Sequence, residues 1–182
     1  MGAMTLAAGR QEAGLLASAA AGDESAFRRL IATHQEDMRR VAAYVAHDHA
    51  IAAEATQAAW VIAWKKHGNV RDEAHLRPWL VSVAANEAKQ LLRKRRRRAE
   101  VEVALDPTED PRGIDPGTGI AEIDVDQAMA KLDPDDRQLL AMRYVAGFDS
   151  TELAAATGIS PSGTRSRLER LLRRLREDLS DE

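Results

Sequence analysis

The sequence contains no cysteine. That excludes disulfides, thiolate nucleophiles, thiol redox sensing and cysteine-ligated zinc. Aromatic residues are only 4% of the 182 positions, while Ala, Leu and Arg abound, a composition that favours helices over sheets. The longest apolar stretch near the start, Leu15 to Ala21, falls far short of the roughly 20 residues that cross a bilayer, and no charged leader segment precedes it. A cytoplasmic protein without membrane insertion is therefore expected. The usual marks of an enzyme are missing as well. There is no glycine-rich phosphate loop and no nucleophile with an evident base. The five histidines are scattered, and the two nearest, His47 and His49, are two apart, a spacing that does not share a helix face. No metal, no cofactor and no catalytic residue is expected.

What is present is segregated charge. The formal net charge is only −3. Yet Lys89, Arg93, Lys94, Arg95, Arg96, Arg97 and Arg98 form a basic run without an acid. A second run, Arg165 to Arg176, holds six arginines against the single acid Glu169. Between them, residues 99–126 carry nine acids and one base, Arg112. Two basic patches joined by an acidic stretch suggest a two-point contact with a polyanion.

Periodicity gives the frame. Met1-Gly2-Ala3 reads as a cloning remnant ahead of Met4, and residues 1–11 are expected to stay outside the fold. A short Ala-rich helix from Gln11 ends at Gly22. Asp23 is placed to cap a second, Glu24 to Ala46, whose Phe27, Leu30, Ile31, Met38, Val41 and Val45 recur at helical spacing. A third spans about Asp48 to Lys66 and is apolar over much of its surface, with Trp60 and Trp64 expected in the core. His67-Gly68-Asn69 breaks it. A fourth, with Pro78 near its start, carries Trp79, Leu80 and Val83 into the basic run. Pro107, Pro111 and Pro116 with Gly113, Gly117 and Gly119 mark residues 99–121 as a flexible linker. Four short helices follow, starting near Ile120, after Asp133, at Thr151 with Ser150 as cap, and at Pro161 with Ser160 as cap.

The last two form a helix-turn-helix pattern. Ala154 and Ala155 allow a close crossing, Gly158 makes the turn and Ile159 plugs the space between the helices. The second helix presents Arg165, Ser166, Arg167 and Arg170, and arginine reads guanine edges or holds phosphates. Leu168, Leu171, Leu172, Leu175 and Leu179 supply its core face.

At these residues the chain resembles the extracytoplasmic-function (ECF) group of bacterial RNA polymerase sigma factors, in the sigma-70 family. Leu132-Asp-Pro-Asp-Asp-Arg-Gln-Leu-Leu with the helix-turn-helix resembles sigma region 4. Gly22-Asp-Glu-Ser-Ala-Phe, then Glu54-Ala-Thr-Gln57-Ala-Ala-Trp60, then Trp79-Leu-Val-Ser-Val-Ala-Ala-Asn86 resemble successive parts of region 2. The resemblance implies an all-α chain of two small helical domains, region 2 over 12–98 and region 4 over 122–182, joined by the flexible acidic linker. It implies a factor that binds core RNA polymerase, at the clamp coiled coil and the flap, and directs promoter-specific initiation. Polymerase-binding positions are then Asp48, Glu54, Gln57 and Lys65. The −10 element is opened by Asn69, Val70, Arg71, Asp72, Asn86, Lys89, Gln90 and Arg93, with Arg95, Arg96, Arg97 and Arg98 on the DNA backbone. The −35 duplex is read by Arg165, Ser166, Glu169 and Arg170, with Arg167 and Arg173 on phosphate. Glu169 either accepts from a cytosine amine or pairs with Arg165 or Arg173. The family's usual Gly-Thr-Val-basic-Ser-Arg is one residue short here, and register is kept if Thr164 takes the apolar position. The linker lies in a basic polymerase channel, folds back on the basic patches, or serves as a plain tether. An anti-sigma partner and a monomeric free state are further expectations. The competing reading is a stand-alone helix-turn-helix regulator, which leaves the basic helix ending the first half unexplained.

Overall fold

The computed structural model of the chain describes residues 14–15, 17–66, 75–105 and 127–180, and every element among them is helical. Short helical pieces at 14–15, 17–20 and 127–131 accompany six longer helices. These are α1 (Glu24–Ala46), α2 (His49–Lys66), α3 (Leu76–Leu105), α4 (Pro134–Tyr144), α5 (Ser150–Thr157) and α6 (Pro161–Ser180).

Local chemistry sets the boundaries. Asp23 accepts hydrogen bonds from the Ser25 and Ala26 N–H groups and caps α1, which ends at His47 in the left-handed conformation. Asp48 does the same for α2, accepting from Ala50 and Ile51 at 2.8 and 3.0 Å. Pro134 sits at the start of α4 behind the cap Asp133. The cap of α5 is Asp149, not Ser150, which is the helix's first residue. Asp149 accepts from Thr151 and Glu152 while Glu152 reaches back to its N–H. A carboxylate with a Glu three positions on makes a reciprocal pair that a serine one residue later cannot.

The first half is a three-helix bundle of α1, α2 and α3, closed by Leu30, Met38, Val41, Val45, Leu76, Leu80 and Val81, all buried. Alanines at 52, 55, 59, 84, 85 and 88 are buried too, so the helices approach closely. The second half packs α4, α5 and α6 around Leu139, Leu140, Met142, Phe148, Leu153 and Leu168. Leu171 completes this core and Leu172 and Leu175 flank it, as the heptad-like spacing predicts. Among the described residues no helix is long and apolar enough to cross a membrane.

One boundary moves. Helix α3 runs on through Leu105, into the stretch expected from residue 99 to be linker. The segment Ala99-Glu-Val-Glu-Val-Ala-Leu105 is rich in Ala, Glu and Leu, all good helix formers, and has no Gly or Pro. The rest of the expected linker, and Asn69, Val70, Arg71 and Asp72, lie outside the described residues.

Candidate nucleic-acid and polymerase interface

Three surfaces gather the polar residues singled out in the sequence. The first is the outer face of α2. Glu54, Gln57 and Lys65 are all exposed there. Val61 and Trp64 join them at 54% and 43% exposure. Positions 54, 57, 61, 64 and 65 follow helical spacing and fall on one stripe. Trp64 is thus not a core residue. Its ring leans edge-on against Phe27 of α1 at 4.9 Å between centroids, and Trp60 packs on the same Phe27 at 5.6 Å from the buried side. Sequence reasoning passed over Val61. Its signal was available in the spacing from Glu54 and Gln57, but an apolar residue in an apolar helix does not announce its direction. Asp48 stands apart from the stripe. Burial works against its charge, but donors from Ile51, Arg95 and Ala50 outweigh it and hold the carboxyl below the usual range. Its oxygens are taken up by the α2 cap and by Arg95 of α3.

The second surface is α3 beyond the bundle. Arg93, Lys94, Arg96, Arg97 and Arg98 are exposed, and all of these but Arg96 line, with Gln90 and Glu87, a wide open trough along the helix. Gln90 donates to Glu87 at 3.1 Å. Asn86 is exposed. Lys89 behaves differently. Its side chain is 12% exposed and its ammonium donates to Asp135 of α4 at 2.6 Å.

The third surface is α6. Arg165, Ser166, Glu169, Arg170 and Arg173 are exposed, on the side away from Leu168 and Leu171. Arg167 is partly withdrawn, since its guanidinium grips Asp136 of α4 at 2.5 and 2.8 Å. The helix start has two tight features. Ser160 accepts from the Gly163 N–H at 3.1 Å. Thr164 is fully buried and its hydroxyl donates to the Pro161 carbonyl at 2.8 Å, so a threonine fills the apolar position without an orphaned polar atom. Among the described residues no group of His, Asp or Glu is arranged to hold a metal.

A helical bundle ending in an exposed basic helix, followed by a helix-turn-helix with a basic outer face, is an arrangement seen in known proteins. Residues 30–98 match the family model for sigma-70 region 2, and residues 122–175 match that for sigma-70, region 4. The chain belongs to the sigma-70 family of RNA polymerase sigma factors. The sigma factor is 29% identical over 164 residues to the RNA polymerase sigma factor CarQ of Myxococcus xanthus, covering 88% of this chain and 92% of that one. It is 27% identical over 168 residues to the ECF sigma factor SigM of Mycobacterium tuberculosis, covering 91% and 83%. The probable sigma factor RfaY of Xanthomonas campestris is 27% identical over 174 residues, and the chain spans 43% of that longer protein. Among solved structures, CnrH in complex with the cytosolic domain of CnrY superposes at a TM-score of 0.68 with 25% identity, covering 92% of this chain and 96% of that one. The chain is thus an ECF-type sigma factor, which acts in promoter-specific transcription initiation, and the reading as a stand-alone regulator is not favoured.

Proposed function

We propose that the three surfaces divide the work of initiation. The α2 stripe of Glu54, Gln57, Val61, Trp64 and Lys65 docks on core polymerase. An exposed tryptophan ringed by polar residues is the composition of a protein-binding hot spot. The basic face of α3, with Asn86, Lys89, Gln90 and Arg93, engages the −10 element as its strands part. Arg95, Arg96, Arg97 and Arg98 add contacts to the DNA backbone that carry no sequence information. The outer face of α6 enters the −35 major groove, where Arg165 and Arg170 read base edges beside Ser166 and Glu169, and Arg173 holds phosphate. Arg167 serves first as the strut that ties α6 to α4 through Asp136. Residues 12–98 and 122–182 are the two functional domains in this reading. The protein acts by binding and strand opening in the cytoplasm, and the polymerase performs the covalent chemistry. The solved relatives CnrH and RpoE of Bartonella quintana were captured with CnrY and with the anti-sigma factor NepR, which supports a comparable anti-sigma partner for this chain.

The observation that carries the reading is the pairing of two separate basic helices with an apolar-centred polar stripe on a third. Its test is Arg165→Ala with Arg170→Ala. Each lost base contact costs about 1–3 kcal/mol. Initiation from a −35-dependent promoter should therefore fall by about tenfold or more, while affinity for core polymerase holds. Undiminished initiation from the double variant would displace the recognition face from α6.

A further inference from the structure

Asp48 and Arg95 are 47 residues apart in the chain and meet where α1 hands over to α2. The two oxygens of the Asp48 carboxylate do separate work. Oδ1 accepts from the Ala50 and Ile51 N–H groups and caps α2. Oδ2 is held by a terminal nitrogen of Arg95 on α3. The Asp48 side chain is 23% exposed and that of Arg95 64%, so the pair sits at the rim of the first bundle.

Helical spacing explains why Arg95, of all the basic run, meets an acid. At about 100° per residue, positions 84, 88 and 95 fall within roughly 20° of one line along α3. Ala84 and Ala88 are fully buried against the bundle. Arg95 continues their line beyond half-buried Leu91 and Leu92, so its stem starts on the side that faces α2. Lys94, Arg97 and Arg98 leave that line and border the open trough. Among the described residues no carboxylate holds Arg96, Arg97 or Arg98. Arg95 is thus the one of the four consecutive arginines with a counter-ion built into the fold. A carboxylate and a phosphate compete for the same planar fork of donors, and a guanidinium held by the first must be released before it serves the second.

We propose that Asp48 is a positioning residue for Arg95, holding its guanidinium against the bundle so that a DNA phosphate must displace Asp48 to gain it. The consequence is lower affinity for DNA of any sequence. Backbone contacts supply the sequence-independent part of binding, and specificity is a difference of affinities. Withholding one backbone contact therefore leaves promoter choice more dependent on the groups that read bases. The inference rests on the reading above that the basic run of α3 touches DNA, and assigns Asp48 a part in it.

The test is a double-mutant cycle in the full chain, read by anisotropy of a short labelled duplex of random sequence over a series of salt concentrations. Asp48→Asn removes the charge and keeps the cap, since asparagine caps a helix about as well as aspartate. It should raise affinity about threefold to fivefold, the range open to a partly exposed ion pair. In a chain that also carries Arg95→Ala, the same change should raise affinity no more than Glu100→Gln does, which removes an exposed acid of α3 away from Arg95. With Asp48→Asn in place, adding Arg95→Ala should lower the salt slope by about 0.9, one phosphate contact. If Asp48→Asn loses helicity, Asp48→Ser replaces it, a residue that still caps but carries no charge. A folded Asp48 variant with unaltered affinity overturns the proposal. So does a gain that is as large without Arg95 as with it, or a salt slope indifferent to Arg95. Arg97→Ala with Arg98→Ala, in the same assay, reads whether the run touches DNA at all. If that pair weakens binding while Asp48→Asn has no effect, the role of Asp48 alone falls. If that pair has no effect either, the reading of α3 as a DNA face falls and takes this role with it.

Discussion

At the residue scale, single side chains account for features that composition obscures. Gly163 is the plainest. A glycine in the first turn of a helix weakens it, and alanine is ordinarily better by about 1 kcal/mol. Here a Cβ at position 163 would lie 2.8 Å from Ile159 Cγ2 and 3.1 Å from Ser160 Oγ. The Ile159 branch is attached directly to its stiff Cβ and has little room to yield. Gly163→Ala is therefore expected to lower the melting temperature of the chain despite the gain in propensity. A raised melting temperature would mean that the turn gives way. The apparent one-residue shortening of the family motif becomes intelligible at the same point, with Thr164 buried in the apolar place and Gly163 keeping the approach clear. His34 is a second case. It is 2% exposed on α1, and burial, then the charge of Arg77, push its pKa below 6.5 against the smaller opposing pull of Asp37. The folded state thus holds this histidine neutral where the unfolded chain would protonate it. Its contribution to stability is full above pH 6.5 and is lost as pH falls from there through the lowered folded value. Thermal melts across that range should show a decline that His34→Leu makes shallower. An unchanged slope in the variant would assign the decline to other groups.

At the scale of the element, the helices were largely readable and their neighbours were not. The spacing of Leu30, Met38, Val41 and Val45 predicts α1 and its buried face together, because an amphipathic helix writes its orientation into its sequence. The cap Asp23, the proline at the start of α4 and the glycine turn at Gly158 were equally plain. Helix α2 is apolar on nearly every side, so periodicity cannot say which face is covered. Spacing therefore assigns Trp64 to the core and gives Val61 no direction, whereas the structure exposes both. Helix α3 outran its expected end because the acidic composition of residues 99–105 reads as linker, while its local propensities are helical. The exposed stripe on α2 yields a prediction of its own. Trp64→Ala removes the apolar centre of the proposed polymerase contact, and truncating such a residue typically weakens binding by about tenfold or more. Titration of core polymerase should show that loss, with helicity retained because Trp60 still packs on Phe27. Unchanged affinity would remove Trp64 from the docking face.

At the scale of the molecule, the sequence locates two basic helices, and the structure ties the halves that carry them together through Lys89 and Asp135. No local pattern could have shown this. Lys89 and Asp135 are 46 residues apart and pair across the two halves of the chain. Such long-range ion pairs leave no periodic trace, so the sequence places Lys89 among the −10 residues without its partner. The family resemblance carried the function from sequence alone, because order and spacing of several weak motifs are more specific than any of them. What folding adds is the placement of exposed polar faces on α2, α3 and α6. The central claim is that this chain confers promoter choice on core polymerase. The most direct test is to combine the purified full chain with bacterial core RNA polymerase and ask for run-off transcripts from a genomic library. Co-elution with the core enzyme and discrete start sites that share upstream elements are the predicted result. A chain that shifts DNA by itself, fails to join the core enzyme and yields no specific transcripts would contradict the account.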